Sequence, residues 1–199
     1  MSGEGDYEDL VKKHPILYKQ RNGDMRYTSL CWGFQCGPGW YKIIAELSKD
    51  LDTVLGYDKW YSKLWYLRVV PRVNSIVAFI NTKLWSLPTW AQKKDMFGHR
   101  PWIFLRYLNE GFQVSDVKEK YGTLRFYMDY SNKAVVDKLI YYAETQSETT
   151  CEECGEHGEL SGFSWLNVLC EKHRNEKGIK THTESVKEYE MFESNTGSE

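Results

Sequence analysis

The feature that most restricts what this chain can fold into is a set of four metal-binding side chains in two pairs. Cys151-Glu-Glu-Cys154 and Cys170-Glu-Lys-His173 are separated by fifteen residues. A two-residue gap lets a tight knuckle turn aim both side chains of a pair at one cation, and a hairpin between two knuckles closes a tetrahedron. Gly155, directly after Cys154, suits such a turn. Three thiolates and one imidazole would fill every position of a Zn2+ ion, the pattern of a structural site rather than a catalytic one. The expectation is therefore one structural zinc ion on Cys151, Cys154, Cys170 and His173, folding a zinc ribbon of residues 151–175 that is too small to fold alone. The body, residues 1–147, is expected largely to survive loss of that metal. His157 is a rival ligand, but it lies inside the loop and lacks the two-residue partner that His173 has in Cys170. His14, His99 and His182 stand alone.

The other two cysteines, Cys31 and Cys36, have no second pair nearby and read as buried thiols. An odd count of 5 cysteines, three of them grouped with a histidine, points to a reducing compartment rather than a disulfide frame. No apolar stretch follows a basic N-terminal region, and the longest uncharged run of the apolar middle, Val73 to Thr82, is about half of what a membrane span needs. A cytoplasmic protein without a membrane partner is expected. Its 199 residues, 41% of them hydrophobic, can bury one core and carry one small module.

The hydrophobic spacing predicts an α+β fold, a small sheet with packed helices plus the C-terminal zinc-ribbon module. Residues 1–13 are polar and expected to be flexible, residues 14–150 form the body, and the acidic tail 176–199 is expected to be disordered. From Trp40, apolar residues recur at Ile43, Ile44, Leu47, Leu51, Val54 and Leu55, the spacing of an amphipathic helix that Gly56 stops. Val135, Val136, Leu139, Ile140 and Ala143 predict a second helix over 132–147. Residues 112–118 and 122–130 predict two strands, the second alternating Leu124, Phe126, Met128 and Tyr130 against polar neighbours. The Asn22-Gly23 pair suggests a short hairpin. Ile76, Val77, Ile80 and Leu84 suggest a helical face within 74–87, and Pro101 to Gly111 a further helix.

The formal net charge of -2 conceals an asymmetry. Residues 59–106 hold nine basic residues against one acid, Asp95, together with five of the eight tryptophans. A core would account for Trp60, Trp65, Trp85, Trp90 and Trp102, but not for the bases. The expected binding face is Trp60, Trp65, Arg68, Arg72, Trp90, Lys93, Lys94 and Arg100, directed at a protein with an acidic surface. Nucleic acid is the alternative partner, since aromatics and bases also serve phosphate backbones. The acidic ribbon and tail argue against it.

Two resemblances bear on function. The run from Leu166 to Lys177 is similar to the closing segment of HNH-type endonucleases, in which the knuckles are structural and an Asp-His pair between them supplies the general base. Here the intervening loop holds no Asp-His pair, and its one histidine is His157. Asp116 and Lys118, with Glu119 and Lys120, could also be read as a restriction-type metal site, although charged ends of a solvated hairpin explain them as well. More broadly, three blocks taken in order resemble a group of small uncharacterised bacteriophage and prophage proteins. They are Gly33-Phe34-Gln35-Cys36-Gly37-Pro38-Gly39-Trp40, then Val117 to Tyr127, then the two knuckles. Pro38 replaces the acidic residue more usual there, and residues 57–100 align with nothing in the group, as an insertion would. This resemblance implies a phage origin and a zinc ribbon, but no activity. The resulting expectation is a phage-encoded, zinc-containing interaction protein that binds and modulates or inhibits a host protein, such as one of host defence, and whose sequence offers no convincing catalytic set. A nucleic-acid-binding zinc-ribbon protein, or a degenerate HNH-like metal-dependent nuclease, are the alternatives.

Overall fold

The computed structural model describes residues 4–26, 28–85, 111–129 and 134–196. The chain divides into two compact units, residues 1–57 together with 112–199, and residues 58–111. The first is the α+β body with the Cys3His cluster at its C-terminal end.

In that unit, α1 (Glu4–Lys13) is followed by short 3-10 turns, then α2 (Tyr41–Leu55), β1 (Gln113–Lys120), β2 (Thr123–Asp129) and α5 (Ala134–Ser147). Helix α2 buries Ile43, Ile44, Leu47 and Leu51, and Gly56 ends it in the left-handed region at φ 73°, as the spacing predicts. Strands β1 and β2 pair antiparallel from Gln113↔Asp129 to Lys120↔Thr123, with a bulge between Val114 and Asp116. Leu124 and Phe126 face inward, and the open edge of β2 is closed by side chains of α5. Ser147 Oγ accepts the Leu124 N–H at 2.8 Å and Glu144 Oε1 that of Phe126 at 3.1 Å. Helix α5 thereby lies against both β2 and α2, over a core that includes Leu17, Leu30, Trp40, Val117 and Val136.

Several expectations are corrected. The N-terminal segment is helical from Glu4: α1 seats Tyr7 and Leu10 in the core, with the Tyr7 ring stacked on Phe34 at 4.5 Å. Two apolar anchors one helical turn apart hold a segment whose average polarity suggests none. The Asn22-Gly23 pair forms no hairpin. Ile16, Leu17 and Tyr18 are buried in succession rather than alternately, Lys19–Asn22 is a 3-10 turn, and Gly23 has an extended φ of -79°. The acidic tail is helical over most of its described residues. Helix α6 (Glu171–Lys177) ends on Gly178, and α7 (His182–Thr196) opens with a reciprocal cap in which Thr181 N–H donates to Glu184 Oε2 and Glu184 N–H to Thr181 Oγ1. Asp116, inside β1, is buried and paired with Lys118, while Lys120 at the end of the hairpin is exposed.

The second unit is described over residues 58–85. Helices α3 (Trp60–Leu64) and α4 (Val70–Trp85) run together through a π-helical turn at Trp65–Val69. Pro71 brings no N–H to the ladder, and a widened turn just before it absorbs that loss. The helix therefore starts well before residue 74, and its buried face is Ser62, Val70, Asn74 and Val77, while Ile76 is exposed. The expected helix from Pro101 to Gly111 lies outside the described residues. Among the described residues no helix is long and apolar enough to cross a membrane.

Candidate functional sites: a metal centre and an aromatic, basic helix

The chain builds the first knuckle by reversing immediately after α5. Gly155 N–H donates to the Cys151 carbonyl at 2.9 Å and Cys151 N–H to that of Glu156 at 2.7 Å, with Gly155 in the left-handed region at φ 80°. The hairpin of β3 (Glu159–Ser161) and β4 (Asn167–Leu169) then carries the chain to the second knuckle. There Cys170 caps α6, and its carbonyl accepts the Arg174 N–H.

Sγ of Cys151, Cys154 and Cys170 and a ring nitrogen of His173 all lie within 4.8 Å of one another. Bonds of about 2.3 Å to sulfur and 2.0–2.1 Å to nitrogen require ligand separations of about 3.8 Å (S to S) and 3.5 Å (S to N) around a tetrahedral ion. The structure has 3.8 Å between Cys154 and Cys170 Sγ, 3.5 Å from Cys151 Sγ to His173 Nδ1, and 3.2 Å from Cys170 Sγ to the same nitrogen. The four side chains could hold one metal ion, such as zinc. They are the four residues picked out by spacing, and the rival His157 is exposed outside the group. Backbone donation from the His173 N–H, joined by the neighbouring thiols, draws the Cys170 thiol down to about 7, while desolvation pushes Cys154 up to about 11. The remaining ring nitrogen of His173, Nε2, faces Glu176 Oε2 at 3.9 Å. A carboxylate there favours the tautomer that offers Nδ1 to a metal.

Sequence reasoning missed what the knuckle rests on. The Gly37-Pro38-Gly39-Trp40 segment lies directly against it: Gly39 N–H donates to the Glu152 carbonyl at 2.7 Å, Gly37 N–H to Glu152 Oε1 at 2.8 Å, and the Trp40 indole N–H to the Thr150 carbonyl at 2.8 Å. A β-carbon on Gly39 would lie 2.2 Å from the Cys151 carbonyl oxygen and 2.5 Å from Gly155 N. Only glycine allows that approach. Upstream, Gln35 bridges to Lys118 of β1, exchanging bonds with Val117 and Glu119, so residues 33–40 link the hairpin to the knuckle. The Cys3His cluster is part of the body, not an appendage of it. Burial raises the Glu152 carboxyl pKa, against the pull of its Gly37 and Asn167 donors.

Cys36 packs against the core with its thiol pushed up to about 12 by burial, and Cys31 Sγ donates to the Thr28 carbonyl at 3.2 Å. Neither joins the metal cluster.

On the second unit, Trp60 is 75% and Trp65 46% exposed, and Arg68 and Arg72 are exposed. Tyr61, Trp65, Arg68, Arg72, Ile76, Phe79 and Lys83 recur at three-to-four-residue intervals along the solvent side of the helical run, with Lys83 Nζ 5.6 Å from the Phe79 ring centre. Trp90, Lys93, Lys94 and Arg100 fall outside the described residues. Compared with known protein families, curated proteins and solved structures, the chain matches none.

Proposed function

We propose that this is a zinc-stapled interaction protein of phage origin that binds, and thereby modulates or inhibits, a host protein with an acidic surface. The observation that carries this reading is the solvent-facing stripe on residues 58–85, where Trp60 and Trp65 stand exposed beside Arg68 and Arg72. Large aromatics and arginine are the side chains that dominate binding energy when a partner desolvates them. Left in water they contribute nothing to a core, so the stripe is accounted for by a partner. The bases add long-range attraction to an acidic surface, which raises the association rate more than the affinity.

Zinc suits the other unit. Three thiolates and an imidazole select a soft, tetrahedral divalent ion, and four protein ligands leave no position for substrate or water. The metal's role in this reading is to hold the knuckle against residues 37–40.

The test is capture from host lysate by the full chain and by a variant with Arg68, Arg72, Lys93 and Lys94 reversed to Glu, the captured protein being identified and then titrated in purified form. The expected result is a saturable, stoichiometric complex lost in the variant and only mildly salt-dependent. Undiminished binding of the same partner by a folded variant would move the binding face elsewhere. Binding that falls with salt along the steep slope of phosphate neutralisation would assign the stripe to nucleic acid instead.

A further inference from the structure

A cavity on the first unit, lined by none of the four metal-ligand residues, offers a candidate site that does not depend on the interaction reading. The two-residue turn between β1 and β2 is Tyr121-Gly122, with φ of 55° and 80°. Such a turn needs left-handed backbone at both positions, which is why Asn-Gly and Gly-Gly dominate it. Tyrosine puts a β-carbon where this conformation crowds it. The cost is not offset by burial, because the Tyr121 ring is 70% exposed. A strained residue left largely exposed points to function.

A second exposed ring lines the same cavity. The loop between β3 and β4 is so tight that a β-carbon on Gly162, at φ 93°, would lie 2.1 Å from the Trp165 carbonyl oxygen, and Trp165 emerges from it 75% exposed. The two hairpins touch at Gly122, where a β-carbon would meet Leu160 Cδ1 at 2.7 Å. Their separation is thus set by packing rather than by the loops. Between them is a cavity of about 350 Å3 lined by Glu119, Lys120, Tyr121, Ser164, Trp165 and Leu166, within the size range of small-molecule sites.

We propose that this cavity binds a nucleoside phosphate, with the base against Tyr121 and Trp165 and the phosphate at Lys120. Two aromatic walls accept a flat π-system of any base identity. Lys120 Nζ lies 5.3 Å from the Tyr121 ring centre, so the cation position over that ring is already taken and an ammonium guest is disfavoured, whereas an anionic substituent is drawn in. Glu119 has Oε1 committed to the Gly122 N–H at 2.6 Å, leaving Oε2 to accept from an exocyclic amine. A free nucleotide and a single-stranded nucleic acid share this chemistry.

The experiment is fluorescence anisotropy of short labelled oligo-dT and oligo-dA strands with the full chain, in competition with AMP and, separately, with a proline-rich peptide, the other guest that aromatic-lined grooves take. Saturable strand binding is expected, weakened about tenfold or more by Trp165→Ala and by Tyr121→Asn. Tyr121→Asn also relieves the turn, so it should melt no lower than the wild type, which separates lost recognition from lost fold. Displacement by AMP at comparable concentration would mark the free nucleotide as the ligand, and resistance to AMP a single strand. The proposal is overturned by no binding of either probe, by wild-type binding in both variants, by displacement with the proline-rich peptide alone, or by binding that disappears only in Arg68→Glu/Arg72→Glu. That last outcome would leave the cavity empty and give the strand to the helical stripe.

Discussion

Replacing Gly39 with alanine tests whether the metal module and the body are one cooperative unit. The new methyl would sit 2.2 Å from the Cys151 carbonyl oxygen, 2.5 Å from Gly155 N and 2.7 Å from Cys154 N. All three are backbone atoms of the knuckle, so no rotamer change can clear them. Restoring a contact of 3.4 Å requires the loop and the knuckle to separate by about 1.2 Å. That movement breaks the three bonds from Gly37 N, Gly39 N and Trp40 Nε1. At about 1 kcal/mol each the loss is roughly 3 kcal/mol, a large share of the 5–15 kcal/mol that holds a domain, and corresponds to roughly 6–12 °C in Tm. Gly56→Ala is the control. Gly56 has φ 73° but nothing within 4 Å of its added carbon, so it should cost only the backbone term of about 1 kcal/mol. Urea titrations should follow tryptophan fluorescence and zinc release to a chromogenic chelator in the same samples. The expected result is coincident transitions, both shifted to lower urea in Gly39→Ala and shifted about a third as far in Gly56→Ala. Zinc released at much lower urea while the fluorescence transition stays where it was would refute the argument and restore the appended module.

Four further outcomes are expected. Cys154→Ser should abolish stoichiometric zinc by metal analysis and, because Gly37, Gly39 and Trp40 rest on the knuckle, also lower the Tm of the whole 1–57 and 112–199 unit instead of sparing it. Cys36, pushed up to about 12 by burial from its ordinary 9.0, should be alkylated at pH 8 about a thousandfold more slowly in the native protein than in denaturant, read by mass spectrometry. Because native Cys36 keeps its proton where the unfolded thiol loses it, stability should fall as pH rises from about 9 to about 12, by up to about 1.4 kcal/mol per pH unit. Tyr7, also raised by burial, adds to the fall from about pH 10. Asp52→Ala removes the partner of His14 Nδ1 at 2.7 Å in a largely buried pair and should cost about 2 kcal/mol in urea unfolding.

Periodicity in the sequence carried α2, α5 and the β1–β2 hairpin, because each buries one face of a long element and the pattern repeats several times. The four ligands were legible for a different reason: coordination imposes spacing on neighbours in sequence. What escaped was short or distant. Helix α1 buries only Tyr7 and Leu10, with Val11 partly buried beside them, too few positions to outweigh its charged residues in any average. The cap that starts α7 was present in Thr181-His-Thr-Glu184, yet the acidity of the tail masked a signal that acts on two residues. Trp60 and Trp65 illustrate the opposite case, since composition identified the segment while only the structure distinguishes a buried indole from an exposed one.

Gly37 and Gly39 mark the deepest gap. A glycine required by a turn and a glycine required by close approach of another chain segment look the same in sequence, and the segment that approaches is more than 110 residues away. That separation would give a metal bound by the four ligands its leverage. A ribbon standing alone would lend its binding energy to itself; a knuckle that receives the Trp40 indole and two glycine N–H groups lends it to α2, whose first turn those residues lead into, and through α2 to the core beneath α5. Since the assembled tetrad exists only in the native state, zinc should stabilise that entire unit by mass action, in proportion to the logarithm of its free concentration.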